Sequence, residues 1–288
     1  MPDDAPRPKV TLETIVAATR RDVERVKAAT PIERFQGMIE ELGRPRNFFK
    51  AVTSPQRTGR TAVIAEIKRR SPSAGLLRPE YARDDFDPAT IARRYQANGA
   101  AAISCLTNQE FFGGALEFIH RIRDACPLPV LRKDFIVDPW QVWQSRAFGA
   151  DAILLIAECL NDSELLDLMI LAHEVQLTTL VEIHSADNLL RLRPHVGFPA
   201  RSYMLLGINN RDLATMTVDL NHSIRLADLA EDKSIVVSES GIREKADLDR
   251  LRVAGIRNVL VGESLMREED PGAALARLLG HAPDQPTA

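Results

Sequence analysis

The chain has 288 residues, 45% of them hydrophobic and 27% charged, with a formal net charge of −3. This is the make-up of a globular protein long enough to bury a full core, and it excludes disorder as the main state. The nearly balanced charge gives no footing to nucleic acid or an anionic membrane as partner.

The chain order begins with residues 1–9, rich in Pro and Asp, which read as a flexible N-terminus without the apolar stretch of a signal peptide; residues 281–288 read as a flexible C-terminus. From Thr11, a plausible N-cap, apolar residues at Leu12, Ile15, Val16, Val23 and Val26 predict an amphipathic helix that ends by Thr30-Pro31. A second helical stretch runs from Ile32 to Leu42, so residues 10–60 form an N-terminal helical extension. After Arg60 eight short apolar runs recur, at 63–68, 101–107, 129–135, 152–158, 178–184, 204–210, 234–240 and 258–264, each followed by a helix candidate, the last spanning roughly 272–279. Alternating β and α implies a parallel sheet, and eight units in this length imply an α/β fold closed as a (β/α)8 TIM barrel over residues 61–280. An open doubly wound sheet is the runner-up, but no GxGxxG turn follows any strand.

No apolar run reaches the ~18 residues of a membrane span. Cys105, Cys126 and Cys159 are widely spaced with no CxxC, as expected of reduced thiols in a cytoplasmic protein. His173, His184 and His195 show no metal-ligand spacing, which favours core or surface roles over zinc, and no nucleophile elbow is present.

In a (β/α)8 barrel the chemistry sits at the C-terminal strand ends. Glu66 and Lys68 end the first run, Lys133 the third, Glu182 the fifth, Asn209 and Arg211 the sixth, and Glu239 the seventh. One Lys or Glu at a strand end is ordinarily a solvated rim residue; this many on separate strands point to one mouth. The alternation of strand side chains puts Glu66 with Lys68, Lys133 with Phe135, and Glu182 with His184 on shared faces. Glu66, Glu182 and Glu239 balance Lys68, Lys133 and Arg211, so partial burial is tolerable. The glycines in Ser240-Gly241 and Gly262-Glu263 follow the seventh and eighth strands, the recurrent phosphate cradle of this fold; read blandly, they only make tight turns. Phe112, after the second strand, is either simple packing or the wall of a pocket for a flat ring.

The segments AEIKRRSPSAG, LTNQEFFGG, VLRKDFIVDPWQV, LVEIH, LGINNRDLATM, VSESGI and VLVGESLM occur in this order between about residues 11 and 279. Together they resemble the indole-3-glycerol-phosphate synthase family of tryptophan biosynthesis. The resemblance implies ring closure, decarboxylation and dehydration of 1-(2-carboxyphenylamino)-1-deoxyribulose 5-phosphate, with neither metal nor organic cofactor. It implies catalytic roles for Glu66, Lys68, Lys133, Glu182, Asn209, Glu239 and Ser240, with Lys133 as general acid and Glu182 as general base. Ser71 and Arg211 match substrate-contacting positions, Phe112 and Phe135 suit an aromatic slot, and Lys68, Gly241, Gly262 and Glu263 fall where the phosphate would sit. Asn108 departs from the acidic residue usual after LT, and Glu263 stands where some relatives carry Ser, so its side chain is expected to turn away from the anion. For Lys133 to release a proton readily, burial or neighbouring cations should draw its pKa towards neutrality. A Schiff-base aldolase, a phosphoribosylanthranilate isomerase and an inactive phosphate-binding barrel subunit stay open as alternatives, as do a monomer and a weak homodimer.

Overall fold

In a computed structural model the structure describes residues 11–83, 86–212 and 215–282. The flexible N-terminus expected at 1–9 and most of the C-terminal stretch at 281–288 lie outside the described residues.

Eight parallel strands close on themselves: β1 Ala62–Ile67, β2 Ala102–Leu106, β3 Val130–Lys133, β4 Ala152–Ile156, β5 Thr178–Ile183, β6 Met204–Asn209, β7 Val236–Glu239 and β8 Asn258–Val261. Each pairs with its successor, and β8 pairs with β1 through Ala62↔Asn258 to Ala65↔Val261. Buried Val, Ile and Leu side chains fill the interior and the layer under the helices, as strands covered on both faces require. The ladders stop one to three residues short of the C-terminal ends of the predicted runs. Of the residues just beyond, Lys68 and His184 reach the carboxylates of the mouth, whereas Asn210 is buried among Ser223 and Ser238.

Helices α1 Leu12–Lys27, α2 Ile32–Leu42 and α3 Phe48–Thr53 precede the barrel. Thr11 caps α1, its side chain accepting from the Thr14 amide, and the second helix has the predicted limits. Short α3 escapes the sequence reading, since six residues carry too little periodicity. Its Phe48 and Val52 are fully buried against β1 and β2 and stopper the N-terminal end of the barrel. Arg46, just before α3, donates its backbone amide to Asp151 at 2.7 Å and its guanidinium to the carbonyls of Cys126 and Leu128.

The barrel helices are α4 Pro88–Ala97, α5 Gln109–Phe112, α6 Glu117–Ala125, α7 Pro139–Ala147, α8 Asp162–Glu174, α9 Ala186–Leu192, α10 Asn221–Ala227, α11 Lys245–Val253, α12 Glu263–Met266 and α13 Pro271–Leu279. α1 and α2 lie on α7, where Phe35 meets Trp140 edge-on and the Trp140 indole donates to the Thr30 carbonyl at 2.7 Å. A two-stranded hairpin, Arg70–Ser71 with Gly75–Leu76, rises after β1 beside the mouth.

Candidate active site

The mouth is built from side chains at the C-terminal ends of β1, β3, β5, β6 and β7. Lys133 Nζ, from β3, lies 3.0 Å from Glu182 Oε2 on β5 and 3.4 Å from Glu239 Oε2 on β7. Lys68 Nζ, just past the end of β1, lies 2.7 Å from Glu66 Oε1, so the two residues expected on one face form an ion pair. Asn209, at the end of β6, donates its Nδ2 to Glu182 Oε1 at 3.2 Å and accepts the Arg211 amide on its own Oδ1. Glu66, Glu182 and Glu239 are at most 5% exposed, which demands partners.

Room for these carboxylates comes from glycines. A Cβ at Gly207 on β6 would collide with Glu239 Oε1, and one at Gly262 with Glu66 Oε1. At Gly262 the missing side chain thus makes space for Glu66, a second use beside the expected close approach of a ligand to the backbone.

The charges sort themselves unequally. Burial opposes a charge on Glu182, yet the Lys133 and His184 charges and the hydrogen bonds from Lys133 and Asn209 bring its pKa down to about 2. Burial and then the charge of Glu182 push Glu239 far above the usual carboxylate range. Two carboxyls sharing one site divide this way, one ionised and one holding a proton. Burial alone would lower Lys133, but Glu182, Glu239 and Glu66 outweigh it and raise the ammonium's pKa. This reverses the drift to neutrality expected from sequence: the groups that converge on Lys133 are acidic side chains, not cations.

His184 and Glu158 are functional candidates that the sequence reading set aside or did not single out. His184 Nδ1 lies 3.1 Å from Glu158 Oε2, and its Nε2 lies 3.3 Å from Glu182 Oε1. Glu158 also accepts the His184 amide and the Asn188 side chain. Burial disfavours imidazolium, but the bond to Glu158 and the charge of Glu182 raise the His184 pKa. The signal in sequence was its place two residues after Glu182, on the same face.

At the rim, Arg211 NH2 lies 3.6 Å from Glu263 Oε2, and Arg267 donates to Glu263 Oε1 at 2.8 Å. The Glu263 carboxylate therefore faces cations. Burial disfavours its charge, but Arg267, Lys68 and Arg211 hold its pKa low. The rings of Phe112 and Phe135 lie 6.2 Å apart, tilted by 38°. Asn108 caps α5, accepting the Phe111 amide, and donates to Asp134, which also accepts from Thr107 and Arg132. Ser240 adopts φ +66° and Gly241 φ +84°, a left-handed pair closing the turn after β7. Ser71 stands apart from the carboxylate cluster, its Oγ accepting the Ala74 amide in the hairpin turn.

Among the described residues no group of three or more His, Cys, Asp or Glu is placed to hold a metal ion, and no helix is long and apolar enough to cross a membrane. Among solved structures the barrel is similar to tryptophan synthase subunit alpha from Legionella pneumophila, with a TM-score of 0.57 and 14% identity over 82% of this chain and 98% of that one. It is also similar to 3-hexulose-6-phosphate synthase from Salmonella typhimurium, with a TM-score of 0.58 and 13% identity over 76% of this chain and 97% of that one. Likeness at these identities shows the fold alone. Curated relatives named indole-3-glycerol phosphate synthase come far closer: one from Rhodopirellula baltica is 45% identical and one from Rhodospirillum rubrum 43%, each match covering 93% of this chain and 98% of the relative. A family model described as indole-3-glycerol phosphate synthase matches residues 12–278. With the closed barrel and its ring of paired charges, this match establishes that the chain belongs to the indole-3-glycerol phosphate synthase family.

Proposed function

We propose that the protein converts 1-(2-carboxyphenylamino)-1-deoxyribulose 5-phosphate into indole-3-glycerol phosphate, carbon dioxide and water. The observation that carries this reading is Lys133, held as a cation between Glu182 and Glu239 beside the separate Glu66–Lys68 pair. In ring closure the aromatic carbon bearing the carboxylate attacks the ketone, and negative charge grows on the ketone oxygen. An ammonium donor at that oxygen lowers the barrier, typically by about 10²–10⁴-fold. Lys133 takes this role as a fully charged donor, and hydrogen bonding to the developing oxyanion in a site shielded from water supplies the stabilisation. Drawing Lys133 towards the substrate also frees Glu182 from its chief counter-ion, which raises its basicity for the proton abstraction of dehydration. Asn209 orients Glu182, and Glu66 with Lys68 is the second acid–base pair, suited to the departing hydroxide.

Glu239, kept protonated, adds no second charge beside Glu182 and can donate a hydrogen bond. Phe112 and Phe135 hold the aniline ring near the ketone, a proximity effect. Arg211 and Ser71 meet the rest of the substrate, the arginine facing its carboxylate. Lys68 and the backbone amides at Ser240-Gly241 and Gly262-Glu263 receive the phosphate. A phosphorylated sugar substrate suits a cytoplasmic enzyme.

Purified protein given the substrate without added metal should develop indole absorbance and fluorescence. Lys133→Ala should lower kcat by about two orders of magnitude or more while the fold stays intact at the assay temperature. Nearly full turnover by that variant would refute the acid assignment. Borohydride trapping with a sugar phosphate should yield no covalent adduct, where an aldolase would give one.

A further inference from the structure

Behind the barrel wall, between β6, β7 and α10, lies a polar cluster that the proposed chemistry does not use. Asn210, Ser223 and Ser238 are at most 2% exposed. The Asn210 carboxamide is fully engaged there. Its Oδ1 accepts the Ser223 amide and hydroxyl, each at 2.8 Å, and its Nδ2 donates to Ser238 Oγ and to the Ser240 carbonyl, each at 3.0 Å. The backbone is tied down as well: the Asn210 amide donates to the Glu239 carbonyl, and the Asp219 amide to the Asn210 carbonyl. A buried amide with both donors and its oxygen satisfied has one orientation only.

The bond to Ser240 has a directional consequence. In a trans peptide the carbonyl and the following N–H point opposite ways. With the Ser240 carbonyl drawn outward to Asn210, the Gly241 N–H must point away from the helical layer. Among the described residues, the amides of Gly241 and Ile242 donate to no protein acceptor. Ser240 also holds φ +66°, a conformation that L residues take up only under constraint, and the carbonyl bond to Asn210 supplies that constraint.

We infer that Asn210 is a positioning residue which locks the Ser240-Gly241 peptide so that the amides of this turn face the substrate's phosphate. This rests on the assignment of the turn after β7 to phosphate. Asn210 itself touches no reacting atom; it acts by removing the freedom of the peptide to flip before the anion arrives.

The test measures inhibition by inorganic phosphate alongside KM and kcat for the full chain and its Asn210→Ala variant. The expected result is a rise of about tenfold in both KM and the phosphate inhibition constant, with kcat changed by less than threefold, because binding is lost and the carboxylate cluster stays intact. A general loosening of the fold would instead lower kcat and leave the phosphate constant alone. Asn210→Asp keeps the side-chain shape and both acceptor contacts to Ser223 while turning an acceptor towards the Ser240 carbonyl, and it serves where the alanine variant does not fold. If phosphate competes with substrate in the wild type and equally well in a folded variant, the inference on Asn210 fails. If phosphate does not compete in the wild type at all, the phosphate assignment falls first.

Discussion

A methyl group added at Gly207 would run into Glu239 Oε1, and one at Gly262 into Glu66 Oε1, so two residues with no side chain fix where two carboxylates stand. Gly207→Ala should cut kcat at least tenfold by displacing Glu239, in steady-state turnover at saturating substrate. The protonation pattern gives a second expectation at this scale. Glu239 has a raised folded pKa, so its contribution to stability is full below its unfolded value of about 4.3 and is lost as pH rises. Glu239→Gln, an isostere of the neutral acid, should therefore melt higher than the wild type by a margin that widens from about pH 5 to about pH 8. His184 is also raised, so its stabilisation is complete below about pH 6.5 and declines above it. The melting deficit of His184→Gln should then shrink as pH climbs through that range. Neither the proton on Glu239 nor the charge held on Lys133 was legible in the sequence, because both depend on which strands converge in space. Glu158 was hidden for the same reason: it comes to His184 from the loop after β4, twenty-six positions back.

At the scale of elements, legibility followed periodicity. The eight strands stand out as short β-branched and leucine-rich runs, and α1 and α2 as amphipathic stretches with a cap or a proline at the start. α3 and the Arg70–Leu76 hairpin carry no such pattern, since Phe48 and Val52 owe their burial to the barrel floor alone. The joint between extension and barrel is equally invisible locally. Asp151, directly before β4, has a fully buried side chain that accepts from the Arg46 amide, from Arg123 at 2.7 Å and from the Val130 amide at 2.8 Å. Removing one partner of a buried ion pair costs about 3–5 kcal/mol. Asp151→Ala should lower the melting temperature by roughly 10 °C, read by circular dichroism. Phe35→Ala, which empties the contact between α2 and Trp140, should cost a similar amount.

Across the whole molecule the two ends of the barrel divide the work. Asp151, Arg46 and α3 gather at the N-terminal end and serve stability; Glu66, Lys133, Glu182 and Glu239 gather at the other, where the proposed chemistry takes place. Substitutions should separate accordingly in turnover: Asp151→Ala below its melting point keeps kcat within about twofold, whereas Glu182→Gln, assayed below its own melting point, loses at least about a hundredfold in kcat. The stopper formed by Phe48 and Val52 bears on traffic too. With buried side chains filling the interior beneath the proposed catalytic groups, gas released beside Lys133 finds no passage downward. In the proposed reaction, carbon dioxide and water must leave through the same doorway by which the sugar ester entered.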